Sequence, residues 1–312
     1  MPGPGILVLI SLVEQWHGDL GREFSIHHVR PEDDRTTVIA AAREPIQAVI
    51  TNGSSGIDAA TLNVLPDLEI VCSFSAGYEK VDVEAARSRG IAVTHGPGVN
   101  AASAADHAIG LMIACGRGIT WRDRHVRDGG WAVARGLAAT VSGKRLGIIG
   151  LGAVGAQIAR RAAAFDMTIA YHNRSRRADV EYDYIENVAA LAAWSDYLVV
   201  SCPGSEATRR IVDADVLNAL GPAGHVVNIA RGSVIDTMAL ITALERQTIA
   251  GAALDVFEDE PGVPDALKRL DNVVLSPHVA GFTPEAFRAG FELLRDNLRA
   301  HFAGRSLPTP VP

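Results

Sequence analysis

The segment from Lys144 to Arg177 constrains the fold of this chain most, because it reads as strand, glycine turn, helix and strand without interruption. Leu146 to Ile149 is a short apolar run typical of a buried parallel strand. Ala153 to Phe165 has apolar residues at helical spacing, and Met167 to Tyr171 supplies a second strand-like run. The segment therefore predicts a βαβ unit within a parallel sheet.

Three glycines, Gly150, Gly152 and Gly155, lie between this first strand and the helix in the order G-x-G-x-x-G. The first allows a tight turn, the second lets a pyrophosphate approach the backbone, and the third permits close packing of helix and strand. The phosphates would meet the unpaired N–H groups of the first helical residues, Ala153 and Val154. The alternative is a tight structural turn, but the position between strand and helix favours dinucleotide binding.

The stretch after the second strand indicates which dinucleotide is preferred. An NAD-specific site of this kind places an acidic residue there, about 20 residues past the glycines. From Met167 to Ala178 the chain has no Asp or Glu, and Asn173, Arg174, Ser175 and Arg176 occupy this region. Arginine matches the geometry of a 2′-phosphate, so we expect NADP(H) to be preferred while NAD(H) can also bind. The alternative is a solvated basic loop indifferent to the extra phosphate.

Composition favours a soluble cytoplasmic enzyme acting on a small molecule. At 312 residues the chain exceeds one ordinary domain, and 48% hydrophobic residues suffice for two cores. A net charge of −7 argues against nucleic-acid binding, and the most apolar stretch, Ala101 to Cys115, is too short to span a membrane. We see no signal peptide and no metal-binding cluster, and three scattered cysteines without C-x-x-C spacing favour a reducing compartment.

The N-terminal part of the chain alternates strand-like and helical patterns, which predicts a small doubly wound α/β domain. The predicted strands are Ile6 to Ile10, Phe24 to Val29, Gln47 to Thr51, Leu68 to Ser73 and Ile91 to Thr94. The predicted helices are Glu14 to Arg22, Arg35 to Arg43, Ile57 to Val64 and Val81 to Arg89.

A break at His95 to Asn100 predicts a hinge, after which a long helical stretch begins at Ala101. The last amphipathic helix, Pro284 to Phe302, is expected to return to the N-terminal domain. The expected fold is therefore two doubly wound parallel-sheet α/β domains, a Rossmann domain (residues 96–284) inserted in a flavodoxin-like one (residues 1–95 plus 285–312). We expect the active site in a cleft between them.

Three residues that follow predicted strands carry the chemistry: Arg231 in NIARGSVID, Glu260 in DVFEDEP and His278 in SPHVAG. An arginine can bind a substrate carboxylate with paired donors, and a histidine can give a proton to a carbonyl oxygen. A carboxylate beside the histidine favours its protonated form and holds its orientation. The alternatives are a surface arginine, an exposed turn acid and a loop histidine.

With these motifs and GKRLGIIGLGAVG, the chain resembles the D-isomer-specific 2-hydroxyacid dehydrogenases over nearly its whole length. Within that family, its pattern is most similar to the NADPH-dependent glyoxylate/hydroxypyruvate reductases. The resemblance implies that Arg231 binds substrate and that His278 is the acid/base with Glu260 as its partner. It implies nicotinamide carboxamide binding by Asp255 and further cofactor contacts from the backbone of Cys202, Pro203, Ile229 and Gly281 and the side chain of Thr208. It also implies substrate binding by the backbone of Ala76 and Gly77, with Ser75 and Gly53.

The resemblance implies NADPH-dependent reduction of glyoxylate or hydroxypyruvate to the D-2-hydroxy acid. It also implies a homodimer formed through Ala101 to Arg127 and the loop that follows, where Trp131 is either near a partner's active site or an anchor in the core or interface. Other substrates stay open, namely hydroxyphenylpyruvate, another 2-keto acid or phosphite, as does a dinucleotide-sensing corepressor. Formate enzymes resemble the family but have glutamine where Glu260 stands, which disfavours formate.

Overall fold

The computed structural model describes residues 3–30 and 32–311 and divides into two compact units. One unit contains the residues up to Asn100 and those from Pro284 onward, and the other is Ala101–Thr283. The first unit therefore extends past the predicted boundary at residue 95. The reason is local bonding, since the Gly96 N–H, just past that boundary, donates to the Ser75 carbonyl over 2.9 Å.

The first unit is built on a five-stranded parallel sheet in the order β2-β1-β3-β4-β5, as in flavodoxin-like folds. Its strands are β1 (Gly5–Val8), β2 (Ser25–His28), β3 (Ile46–Thr51), β4 (Ile70–Ser73) and β5 (Ala92–Thr94). Its helices are α1 (Glu14–Gly21), α2 (Arg35–Ala41), α3 (Ala59–Asn63), α4 (Val83–Ser88) and α13 (Pro284–Phe302). The five predicted strands of this region are confirmed, with ends that differ by two residues or fewer.

Helix α13 shows why the chain returns to this unit. Its apolar residues recur every three or four positions, so they form one stripe along the helix. Phe291, Leu294 and Leu298 of that stripe are buried in one cluster with Ile70 and Cys72 of β4. The predicted helix Pro284 to Phe302 is thereby confirmed, and its burial closes one face of the first sheet.

The second unit contains a seven-stranded parallel sheet in the order β12-β11-β10-β9-β6-β7-β8. Its strands are β6 (Arg145–Ile149), β7 (Thr168–His172), β8 (Asp183–Tyr184), β9 (Tyr197–Val200), β10 (His225–Asn228), β11 (Gly251–Leu254) and β12 (Val273–Leu275). Its helices are α5 (Ala101–Arg117), α6 (Ile119–Arg127), α7 (Trp131–Ala134), α8 (Ala153–Ala163), α9 (Val188–Trp194), α10 (Ala214–Leu220), α11 (Thr237–Glu245) and α12 (Asp265–Arg269). The strand order reverses between β6 and β9, and ligands bind at the carboxyl ends of strands at such a point.

The continuous helix expected from Ala101 to Arg127 is wrong, because Gly118 interrupts it. Gly118 has φ 59° and ψ 36°, a left-handed conformation that glycine adopts readily, so α5 ends and α6 begins there. The small residues of α5, including Ala105 and Ala108, are buried in one core with Ile158 of α8. They therefore serve packing inside the second unit. No helix in the described ranges is long and apolar enough to cross a membrane.

Candidate active site

The glycine turn between β6 and α8 fits a dinucleotide. Gly150 has φ 97°, and a Cβ there would lie 2.5 Å from the Cys202 nitrogen, so no other residue fits. A Cβ at Gly155 would lie 2.2 Å from the Gly150 oxygen, which confirms that this glycine allows close packing. Gly152 is exposed at the N-cap of α8, and a Cβ there would meet nothing within 4 Å. Open space therefore adjoins the N–H groups of Ala153 and Val154, as pyrophosphate binding requires.

The loop after β7 is fastened to this turn at Leu151. The Leu151 N–H donates to Asn173 Oδ1 over 2.6 Å, and Arg177 Nη1 donates to the Leu151 oxygen over 2.8 Å. Arg177 is itself held by Asp179, with Nε to Oδ1 at 2.9 Å. Asn173 and Arg177 thus anchor the loop, and the three residues between them, Arg174, Ser175 and Arg176, are exposed. The anchoring role of Arg177 lay beyond sequence reasoning, since basic character alone does not tell an anchor from a ligand.

The other predicted cofactor residues line the ends of β9 and β10. Thr208 Oγ1 donates to the Pro203 oxygen over 2.7 Å and accepts from the Ser205 N–H over 2.9 Å, so its hydroxyl shapes the turn after β9. Cys202 and Ile229 are buried. Burial raises the pKa of the Cys202 thiol to about 11, which keeps it protonated and unreactive. Cofactor contacts at these residues, and at Gly281 after β12, stay predictions.

Glu260 and His278 form a hydrogen-bonded pair. They follow β11 and β12, which are neighbours in the sheet. His278 Nδ1 and Glu260 Oε2 are 2.7 Å apart, and the side chains are 38% and 34% exposed. The Phe257 N–H donates to Glu260 Oε1 over 3.0 Å, so both carboxylate oxygens have a donor. With Nδ1 bound to Glu260, the ring nitrogen left for proton transfer to a substrate is Nε2.

Arg231 follows β10, the strand on the other side of β11. The turn that carries it is set by Asn228, whose Oδ1 accepts from the Ala230 N–H over 3.0 Å and whose Nδ2 donates to the Arg231 carbonyl over 2.9 Å. A Cβ at Gly232 would lie 1.9 Å from the Phe257 carbonyl carbon. The Arg231 turn therefore packs directly on the loop that leads to Glu260, and only glycine permits this contact.

A buried polar network that sequence reasoning missed lies under the His278 loop. The fully buried Asp255 carboxylate accepts from the N–H groups of Val279 (3.0 Å) and Ala280 (2.9 Å) and from the Ser276 hydroxyl. His107 Nε2 of α5 lies 3.3 Å from Asp255 Oδ1. Burial opposes ionisation of Asp255, but these donors outweigh it and hold its pKa well below the usual range.

This network bears on the predicted contact of Asp255 with the nicotinamide carboxamide. Its side chain has no solvent-accessible surface, and both oxygens already accept hydrogen bonds within the chain. A direct bond to a ligand would require local opening, so the contact stays a prediction. The donors to Asp255 come from one loop, at Ser276, Val279 and Ala280. Their spacing in that loop was the only sequence signal for the supporting role of Asp255.

The residues predicted to bind substrate in the first unit lie in two loops that touch each other. The Gly53 N–H donates to Ser75 Oγ over 3.0 Å, and Ser75 Oγ donates to the Gly77 oxygen over 2.9 Å. A Cβ at Gly53 would lie 2.8 Å from that oxygen. The Ala76 and Gly77 N–H groups have no acceptor within the described residues 3–30 and 32–311. The Ser75 hydroxyl thus holds the loops together, and the two amides remain available to a carboxylate.

Comparison with known proteins decides the family. Residues 109–280 match the family model described as D-isomer specific 2-hydroxyacid dehydrogenase, NAD binding domain. The chain belongs to the D-isomer-specific 2-hydroxyacid dehydrogenase family. It is similar to glyoxylate/hydroxypyruvate reductase A of Arabidopsis thaliana (44% identity) and to hydroxyphenylpyruvate reductase of Plectranthus scutellarioides (41%), in each case over 100% of both chains.

Solved structures of the family agree with this assignment. A 2-hydroxyacid dehydrogenase from Ketogulonicigenium vulgare superposes with a TM-score of 0.92 at 41% identity, covering 100% of this chain and 99% of that one. An NADPH-dependent glyoxylate/hydroxypyruvate reductase from Sinorhizobium meliloti, in complex with NADP and malonate, gives 0.89 at 38%, covering 99% and 96%. Membership confirms the predicted enzyme class, an NAD(P)-dependent 2-hydroxyacid dehydrogenase with two parallel-sheet domains.

Proposed function

We propose that the protein reduces a short 2-keto acid, glyoxylate or hydroxypyruvate, to the D-2-hydroxy acid with NADPH as the preferred cofactor. The observation that carries this proposal is the His278–Glu260 pair, whose Nδ1 and Oε2 are 2.7 Å apart. Glu260 follows β11, which lies in the sheet between β12, before His278, and β10, before Arg231. The Arabidopsis relative is named for glyoxylate and hydroxypyruvate, and the Sinorhizobium relative is NADPH-dependent. The exposed Arg174, Ser175 and Arg176 support the same cofactor.

Each residue has one task in this proposal. The Arg231 guanidinium binds the substrate carboxylate. We take the first unit as the substrate domain. His278 Nε2 gives its proton to the carbonyl oxygen as that oxygen gains charge. Glu260 holds the ring through Nδ1 and stabilises the protonated imidazole. The nicotinamide, when bound, supplies the hydride that the keto carbon receives.

Steady-state kinetics with four keto acids test the substrate. We expect kcat/KM with NADPH to be about tenfold or more higher for glyoxylate and hydroxypyruvate than for phenylpyruvate and hydroxyphenylpyruvate. The reason is that the loops around Gly53 and Ser75 to Gly77 present small side chains and backbone, which recognise a carboxylate but little else. Turnover of a keto acid also separates this activity from phosphite oxidation.

Hydroxyphenylpyruvate is the second candidate substrate. A relative named for that reduction is 41% identical, and Phe282, four residues after His278, is 68% exposed. An exposed aromatic ring can pack on the ring of an aromatic keto acid. A higher kcat/KM for hydroxyphenylpyruvate than for both short acids would replace the first candidate with this one.

We also propose that the protein is a homodimer and that residues 119–137 form the interface. Five of the ten large apolar side chains exposed in the described part of the chain lie within this segment. They are Ile119, Val126, Trp131, Val133 and Leu137. A concentrated exposed apolar surface of this kind marks an association site. The small residues of α5, on which the sequence prediction relied, pack inside the unit, so α6, α7 and the following loop carry the proposal.

Light scattering tests this interface. We expect the unmodified protein to have the mass of two chains at micromolar concentration and the double variant Trp131→Asp, Leu137→Asp to have the mass of one. Burying two unpaired carboxylates in an interface is unfavourable, which is the physical reason. Met238→Asp is the matched control, since Met238 is about as exposed as Trp131 (69% against 66%) but lies on α11. A monomeric unmodified protein, or a double variant that stays dimeric, contradicts the proposal.

We place the protein in the cytoplasm. The support is its thiol chemistry, because Cys72, Cys115 and Cys202 are all free. Burial raises the pKa of Cys72 and of Cys115 to about 12. These thiols therefore resist oxidation and serve packing in the two cores.

A further inference from the structure

We propose that His107 is a positioning residue for the catalytic histidine. Its Nε2 is hydrogen-bonded to Ser276 Oγ and so fixes the serine hydroxyl on the buried Asp255 carboxylate. Asp255 in turn holds the backbone of His278 in the conformation that the Glu260 contact requires. The inference rests on the proposed function, because His278 is the proton donor of that reaction. It adds a residue from α5 to a site otherwise built from the ends of β10, β11 and β12.

The backbone of His278 needs such support. Its φ is 53°, in the left-handed region that residues other than glycine seldom occupy. Such a conformation persists only when the surrounding structure over-determines it. Here the His278 N–H donates to the Asp255 carbonyl over 2.7 Å, and the next two N–H groups, of Val279 and Ala280, donate to the Asp255 carboxylate. One residue therefore binds three successive amides of the catalytic loop.

Counting donors assigns the role of His107. Ser276 has one hydroxyl hydrogen, and its Oγ lies against Asp255 Oδ1, which can only accept once ionised. His107 Nε2 lies 2.9 Å from Ser276 Oγ and 3.3 Å from Asp255 Oδ1. With the serine hydrogen directed to the carboxylate, Nε2 must carry a hydrogen and donate it to Ser276 Oγ. His107 thus fixes the serine hydroxyl as a donor to the buried charge.

Loss of this donor should act through His278. Without the His107 donor, the Ser276 hydroxyl is no longer fixed on the Asp255 carboxylate. A buried carboxylate that loses a well-placed donor is destabilised, and the loop it holds relaxes to recover donors. The His278 ring would then leave its geometry with Glu260, while the glycine turn at β6 and the loop after β7 keep theirs. His107 could instead act on turnover through the predicted contact of Asp255 with the nicotinamide. In that case the His107 substitution would change the affinity for the cofactor.

The experiment compares His107→Leu and His107→Gln in the full chain. Amide hydrogen exchange without cofactor should become about tenfold faster at His278, Val279 and Ala280 in the leucine variant and stay unchanged in strand β6. In the same variant kcat should fall about tenfold while the Kd for NADPH stays within about twofold. Glutamine, which offers an N–H donor, should restore most of the amide protection and most of the turnover. His225→Leu is the control, a half-buried histidine at the opposite end of β10.

A double-mutant cycle identifies the route. In a His278→Ala background, His107→Leu should cause no further loss of turnover, since residues that act as a unit are not additive. Unchanged exchange at the three amides, an additive loss of turnover, or a raised Kd for NADPH with unchanged kcat each overturns the proposal. If His278→Ala itself keeps full activity, the proposed proton donor is wrong, and the exchange data still decide whether His107 holds the loop.

Discussion

Replacing His278 by alanine is expected to lower kcat for keto acid reduction by about two to four powers of ten. The change removes the imidazole whose Nε2 is proposed to give the proton. Its other nitrogen, Nδ1, is held by Glu260 Oε2 at 2.7 Å. Within the described residues of the second unit, no other histidine is hydrogen-bonded to an exposed carboxylate after a strand of the cofactor sheet. Steady-state kinetics with saturating NADPH measure the effect.

The backbone of His278 calls for a second variant. Alanine is disfavoured at φ 53°, whereas asparagine tolerates the left-handed region, so His278→Asn separates loss of the proton donor from loss of loop geometry. Both variants should lose turnover to a similar extent and bind NADPH with little change, as followed by fluorescence quenching. Glu260→Gln, which keeps a hydrogen-bonding group beside the ring, should cost less. Full activity in either His278 variant would show that another group donates the proton.

Replacing Arg174 by alanine is expected to weaken NADPH by about 1.5–3 kcal/mol, the range for hydrogen bonds to charged groups. This corresponds to about 10-fold to 150-fold in Kd, and NADH should change little. Arg174 is exposed between the two residues that anchor the loop, Asn173 and Arg177. Its guanidinium is therefore held near the turn yet free to pair with a 2′-phosphate, which is a dianion near neutral pH.

Titration of both cofactors decides this prediction. Arg160→Ala is the matched control, because Arg160 is an exposed arginine of the same unit but lies in the last turn of α8. It should leave both Kd values unchanged. Equal or better kcat/KM with NADH in the unmodified protein would show that the loop does not select the phosphate, and an equal loss of NADPH and NADH in Arg174→Ala would show that Arg174 supports the fold of the loop.

Local pattern was enough for the strands and for the chemistry at their ends. A short apolar run bounded by a glycine or by a helical pattern has few ways to be buried, so β1, β3, β6 and β7 were predictable to within about two residues. Glu260 and His278 were predictable as a pair for a similar reason. Each lies in the loop that follows a parallel strand, and the carboxyl ends of adjacent parallel strands meet at one edge of the sheet.

Short elements without an apolar run were not predictable. Strand β8, Asp183–Tyr184, has two residues and no alternation, and it forms because β7 offers it an open edge. Gly118 carries no signal that distinguishes a glycine inside a helix from one that ends it. The left-handed conformation that separates α5 from α6 at Gly118 is seen only in the structure.

The supporting contacts of the site depended on tertiary structure altogether. His107 reads as a polar residue in an apolar helix, and Asp255 as the acid of a strand end. Their approach to 3.3 Å depends on where α5 lies on the sheet, and side-chain patterns within a segment carry no information about that placement. The hydrogen bond between Arg177 and Leu151 likewise joins separate loops, so the sequence of either loop does not reveal it. Residue types and spacing thus specify which groups can react, whereas packing between distant segments decides which groups hold them in place, because a buried charge takes whichever donor the fold brings to it.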